Sequence, residues 1–151
     1  MALSRLDNLY RQVILDHSAH PHHHGQLAGV EALEMNNPTC GDVIFLSLIV
    51  ENGKVKDIAF DGAGCSISIA SGSMMTDAVI GKPIEVALDT VEEFSRLVQG
   101  QIVENAGRKL GDAAILAGVS KFPARIKCAT LAWKALEKAL INNQEQSGHD
   151  E

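Results

Sequence analysis

Three cysteines and one aspartate are the residues of this chain best suited to chemistry. Cys40 and Asp42 share the tripeptide Cys40-Gly41-Asp42, Cys65 closes Gly62-Ala63-Gly64-Cys65, and Cys128 closes Arg125-Ile126-Lys127-Cys128. Three thiolates and one carboxylate make four ligands, enough for a tetrahedral metal ion. Thiolates suit zinc, copper(I) and iron–sulfur centres, whereas a carboxylate is a harder and poorer match for them. A Cys₃Asp set therefore predicts a centre with one weak arm, built to exchange what it holds. Two plainer readings compete: a closed zinc site that only staples the fold, and three unrelated core cysteines. The placement of all three cysteines at the ends of regular elements argues against the second.

Those elements follow from pattern. Val43 to Val50 is apolar and β-branched and reads as a strand covered on much of both faces. Glu51-Asn52-Gly53-Lys54 follows, and Asn-Gly is the strongest short hairpin signal. Val55 to Asp61 returns as a second strand with Ile58 and Phe60 on one side. An antiparallel hairpin brings the start of the first strand, with Cys40 and Asp42, close to Cys65 beyond the end of the second. Ser66 to Ile80 has helical spacing and is stopped by Gly81-Lys82-Pro83, which puts Cys65 at a helix N-terminus. The helix dipole there favours a thiolate. Pro123 opens a final helix to about Asn142, with Cys128 in its opening turns beside Arg125 and Lys127, two cations that also favour a thiolate.

The remaining segments are less informative. Residues 3–16 form a short amphipathic helix with Ser4 as N-cap; residues 17–25 break it as a surface loop; residues 26–39 connect to the first strand. Thr90 to Val98 reads as a helix, and the glycine-punctuated stretch 100–122 as one or two helical turns. The expected organisation is one domain over 1–142 with a flexible polar tail over 143–151. The fold class is α+β: a small antiparallel sheet with helices packed on one side.

Composition narrows the function classes. The chain has 151 residues, a net charge of −6 and 4% aromatic residues. That balance speaks against nucleic acid, which calls for a basic stripe and stacking platforms. No apolar run approaches the roughly 20 residues of a membrane span. The N-terminus lacks a signal-peptide pattern, so a cytoplasmic setting is expected, where cysteines serve metal or sulfur chemistry more than disulfides. His20, His22, His23 and His24 suggest metal, but a solvated loop is the simpler reading. His17 could cap the carbonyls of the first helix. Met74, Met75 and Trp133 read as core.

The ordered motifs Asn37-Pro38-Thr39-Cys40-Gly41-Asp42, then Phe60-Asp61-Gly62-Ala63-Gly64-Cys65-Ser66-Ile67-Ser68-Ile69-Ala70-Ser71, then Lys127-Cys128 before a helix closely resemble the U-type iron–sulfur cluster assembly scaffold family (IscU, SufU and the N-terminal domain of NifU). Leu15-Asp16-His17 with Pro21 and Gly25 is similar to that family's N-terminal loop. The resemblance runs from about Leu6 to Leu140 and implies a SufE/NifU-like architecture. Lys127 stands where IscU-type members have a histidine, and the stretch between Cys65 and Cys128 carries additional helical sequence, as in the SufU branch.

That branch implies zinc on Cys40, Asp42, Cys65 and Cys128, and persulfide sulfur received from a cysteine desulfurase. The protein would then be at most a sulfurtransferase. Cys40, on a loop before a strand, is the expected acceptor, with Cys128 second; Asp42 is the replaceable ligand, and Arg125 could steer sulfur or pair with Asp42. The alternative is a scaffold that holds a transient 2Fe–2S cluster on the same cysteines and passes it to apo iron–sulfur acceptor proteins.

Overall fold

The computed structural model describes residues 2–37 and 41–149, with side chains from residue 11 to residue 143 of that range. In chain order the elements are α1 (Ala2–Ala19), β1 (Leu33–Asn37), β2 (Asp42–Glu51), β3 (Lys54–Ala63), α2 (Ser66–Val79), α3 (Ile84–Val98), α4 (Ala106–Leu110), a 3₁₀ segment (Gly111–Lys121) and α5 (Pro123–His149). The three strands form one antiparallel sheet in the order β1-β2-β3. The α+β class holds.

The hairpin forms where Asn-Gly predicts it. Asn52 and Gly53 both take positive φ, 57° and 74°, the backbone that a two-residue turn between right-twisted strands requires. Pairing runs from Glu51 opposite Lys54 to Val43 opposite Ala63, with one irregularity at Ile49/Val50. The far end of the hairpin therefore sets Asp42 beside the residues that lead into Cys65.

Ile44 and Leu46 of β2 and Ile58 and Phe60 of β3 are buried on the face that α2 and α5 cover. The opposite face of β2 is only partly covered: Phe45 is exposed, and Val43 and Ile49 are half-buried. This corrects the expectation of a strand covered on much of both faces. β1 was expected as a connecting segment; it pairs with β2 from Leu33 opposite Leu46 to Asn37 opposite Asp42. α3 starts at Ile84, well before Thr90, because Pro83 both ends the preceding turn and serves as the N-cap. Where a flexible tail was expected from residue 143, α5 continues to His149.

The loop after α1 is more structured than a solvated surface loop. His23 and Gly25 pair with Phe60 along the outer edge of β3: Gly25 N–H donates to the Phe60 carbonyl at 2.8 Å, and Phe60 N–H to the His23 carbonyl at 3.0 Å. Lower on the same edge, Val55 N–H donates to the Lys82 carbonyl at 2.9 Å and Gly81 N–H to the Val55 carbonyl at 2.7 Å. Both contacts cover donors and acceptors that an edge strand would otherwise present to another chain.

α2 and α5 carry two of the cysteines, and a buried seam fixes one against the other. Ser71 Oγ donates to the Ala129 carbonyl at 2.5 Å and accepts from Trp133 Nε1–H at 2.9 Å. The indole stacks on Phe94 of α3, with centroids 4.1 Å apart and rings 7° from parallel. Gly72, next along α2, lets the helix sit on the Phe60 ring, which a Cβ would meet at 2.8 Å. Ser71→Ala leaves the buried indole N–H without its acceptor, a loss of about 1–3 kcal/mol. The expected result is a lower denaturant midpoint at unchanged slope; an unchanged midpoint would contradict the role given to this seam.

Candidate metal centre

The structure brings Asp42, Cys65 and Cys128 together from three elements. One ligand atom of each lies within 4.8 Å of the other two. Asp42 opens β2, Cys65 is the N-cap of α2, and Cys128 lies in the second turn of α5. Cys40 and its neighbours Pro38 and Thr39 lie outside the described residues. Gly41 follows them with φ +74°, and its N–H donates to the Asn37 carbonyl at 2.8 Å.

Asp42 is the hub. It is buried, 3% exposed, and both carboxylate oxygens are engaged. Oδ1 accepts from Cys65 N–H at 3.3 Å. Oδ2 accepts a short hydrogen bond from Ser68 Oγ and lies 3.8 Å from Cys65 Sγ. Gly64 makes this approach possible, because a Cβ there would fall 2.5 Å from Asp42 Oδ1.

Cys65 is partly exposed and takes extended backbone, φ −72° and ψ 164°, as it enters α2. Burial pushes its thiol pKa up, and the Asp42 charge pushes the same way. Hydrogen bonds from the Ser68 hydroxyl and N–H and from the Cys128 thiol outweigh both, so the net shift is downward, toward thiolate. Ser68 is three residues past the N-cap, in the first turn, where side chains reach back over the helix start. Its role escaped sequence reasoning, though a serine at this spacing was a usable signal.

Cys128 is 2% exposed, and its thiol faces the Ala124 carbonyl at 3.9 Å. Arg125 and Lys127 project outward as exposed side chains. Among the described ion pairs none joins Arg125 to Asp42, whose oxygens Ser68 and Cys65 take instead. The exposed Arg125 side chain is three residues before Cys128 on α5, on the same side of the helix, whereas the thiol itself is buried.

The three described ligands fit a tetrahedral thiolate–carboxylate ion. Zinc–sulfur bonds near 2.3 Å and zinc–oxygen bonds near 2.1 Å put sulfur and oxygen about 3.6 Å apart on a tetrahedron. The Cys65–Asp42 separation of 3.8 Å is close to that. Two thiols among the three described groups suit a soft or borderline ion.

A sheet of this topology, with a cysteine at a helix N-cap, a second on the closing helix and a buried aspartate between them, defines a class of small cysteine–aspartate domains. The match is specific: residues 9–129 fit the NifU-like N terminal domain, and the chain belongs to that family. It is 62% identical over 141 residues to the iron-sulfur cluster assembly scaffold protein IscU of Streptococcus pyogenes serotype M1, covering 93% of this chain and 87% of that one. It is 52% identical over 141 residues to the zinc-dependent sulfurtransferase SufU of Bacillus subtilis, covering 93% and 95%. Among solved structures it is similar to a putative scaffold protein for the SUF system from Fervidobacterium islandicum, with TM-score 0.79, 32% identity and coverage of 85% and 93%. Among the described residues, no helix is long and apolar enough to cross a membrane.

The Cys65 environment makes a testable statement about pH. Only the thiolate attacks an alkylating agent. In metal-free protein the alkylation rate of the Cys65 peptide, followed by mass spectrometry, should rise with pH through a midpoint below the ordinary 9.0. Ser68→Ala removes the hydroxyl contact with Cys65 Sγ, keeps the backbone N–H bond, and should move that midpoint up. An unmoved midpoint would show that Ser68 does not hold the thiolate.

Proposed function

We propose that this chain serves iron–sulfur cluster biogenesis as a sulfur acceptor, taking persulfide sulfur from a cysteine desulfurase at a Cys₃Asp site formed by Cys40, Asp42, Cys65 and Cys128. The observation that carries the reading is the convergence of Asp42, Cys65 and Cys128 within 4.8 Å. Cys40 is two residues from Asp42 in sequence, so its Cα is at most about 7 Å from that of Asp42. The Bacillus subtilis relative, named a zinc-dependent sulfurtransferase, supports the chemistry. Zinc, when bound, would keep the cysteines deprotonated and protected until a partner docks.

The acceptor is Cys40. The burial of Cys128 favours Cys40 over it for meeting an incoming persulfide. Cys65 is tied to Asp42 and Ser68 at the start of α2. The Cys40 thiolate attacks the outer sulfur of the donor's persulfide. A new S–S bond forms on Cys40 as the donor's S–S bond breaks, and the donor cysteine leaves as a thiolate. No external electron donor is needed, because the sulfur is exchanged between two thiols at one oxidation level. Asp42 is the harder, more weakly matched ligand and the arm that yields.

The expected result is that desulfurase turnover rises when the zinc-loaded protein is added and returns to its basal rate after chelator stripping. Asp42→Ala should weaken zinc binding on the order of 10–100-fold. Gly64→Ala should act in the same direction, because its Cβ displaces the Asp42 carboxylate. Unchanged zinc affinity in both variants would remove Asp42 from the ligand set.

The name of the Streptococcus pyogenes relative favours a second reading, a scaffold for a transient 2Fe–2S cluster on Cys40, Cys65 and Cys128. Anaerobic reconstitution followed by transfer to an apo-ferredoxin tests it. Holo-ferredoxin formed at a rate that depends on the three cysteines, with no effect on desulfurase turnover, would favour the scaffold over the acceptor.

A further inference from the structure

A second group of ligand-type side chains lies toward the C-terminal end of α2. His17, His22 and Asp77 each offer an atom within 4.8 Å of the others. Asp77 is twelve residues beyond Cys65 on α2, about 18 Å along the helix axis, so the two groups are separate. His17, expected to cap the end of α1, is instead inside that helix and 4% exposed. The neighbouring cavity, about 320 Å³, is lined by Val13, Asp16, His17, His20, His22 and Asp112. Its lining has two carboxylates and no lysine or arginine.

The hydrogen bonds orient His17 as a ligand. His22 N–H donates to Ser73 Oγ at 2.7 Å, which leaves the Ser73 hydroxyl proton free to point at His17 Nδ1, also at 2.7 Å. His17 Nε2 is then the protonated nitrogen, and it donates to Asp112 Oδ2 at 2.9 Å. A carboxylate on the far nitrogen of an imidazole fixes its tautomer and raises its basicity toward a metal. His22 Nδ1 already lies 2.5 Å from Asp77 Oδ2, and His23 Nε2 lies 3.3 Å from Asp77 Oδ1.

We propose that His17, His22 and Asp77 form a second cation site, for a borderline divalent transition metal such as zinc, cobalt(II) or nickel(II), with Asp112 orienting His17. Two imidazoles and one carboxylate match that class of ion. Ser73 Oγ lies 2.7 Å from His17 Nδ1, so the hydroxyl must turn aside for the ion to take that lone pair, and His22 N–H then gives up its bond to Ser73. The ion also replaces the proton shared by His22 and Asp77, which is released to solvent. Those two groups must open to the about 3.4 Å that separates two ligands on a tetrahedral ion. His22 is 52% exposed and Asp77 42%, so both can turn at the surface, and the Ser73 hydroxyl is the buried group that must rotate. The fourth position is open to solvent. Bound there, the ion ties α1 and its loop to α2.

The test uses the full chain loaded with one equivalent of zinc. Cobalt(II) binds a given site more weakly than zinc, so it leaves the thiolate site in place and reports on any further site. The expected result is one further equivalent of cobalt, with d–d absorption and no thiolate-to-cobalt charge-transfer band. That equivalent is lost in His22→Ala and, independently, in the surface variant Asp77→Asn, while each retains its first zinc and its circular dichroism. It persists in the double variant His20→Gln with His24→Gln. Three results would each overturn the proposal: no second equivalent, binding that survives both His22→Ala and Asp77→Asn, or loss in the His20/His24 variant equal to that in His22→Ala, which would mean unspecific chelation by the loop.

Discussion

The site depends on one buried carboxylate. Asp42 begins β2 and bonds the backbone and first turn of α2 through Cys65 N–H and Ser68 Oγ. A carboxylate with no water around it must have such partners, because leaving it unpaired would cost several kcal/mol. The same bonds that satisfy it also fix the N-cap geometry of Cys65 and hold the strand start against the helix start. Gly64 is part of this arrangement, since any side chain there would occupy the space the carboxylate uses. Asp42 is thus a structural clasp and a candidate ligand at once, and a change of ligand at the site is bound to be felt in the fold.

The second constraint is the α2–α5 seam. Cys65 and Cys128 sit on different helices, and their separation is only as fixed as the packing between them. Ser71, Ala129 and Trp133 set that packing with two hydrogen bonds in the core, and Phe94 backs the indole from α3. Rigid helices that carry ligands hold them more closely than loops do. Cys40, by contrast, belongs to the short connection before β2. The two described thiols of the site are thus both held on helices.

Much of this was legible in the sequence because the signals are local. Asn52-Gly53 fixed the hairpin and, through it, the meeting of Asp42 with Cys65. The apolar period of residues 66–80 and Gly81 placed α2, and Pro123 placed the start of α5. What escaped depends on contacts far apart in the chain. Leu33-Glu34-Met35-Asn36-Asn37 has only two apolar residues, and asparagine is poor in strands; β1 exists because β2 offers it an edge. Pro83 read as a stop, so the start of α3, from Ile84 to Asp89, was missed. His17 read as a helix cap, yet its partners Ser73 and Asp112 lie 56 and 95 residues away. No local pattern carries that contact.

The most direct measurement is X-ray absorption at the zinc edge on protein loaded with one equivalent of zinc. The account predicts three sulfur ligands near 2.3 Å and one oxygen near 2.0–2.2 Å, with the oxygen contribution lost or replaced in Asp42→Ala. A shell made of nitrogen and oxygen alone, or a wild-type spectrum that Asp42→Ala leaves unchanged, would contradict it.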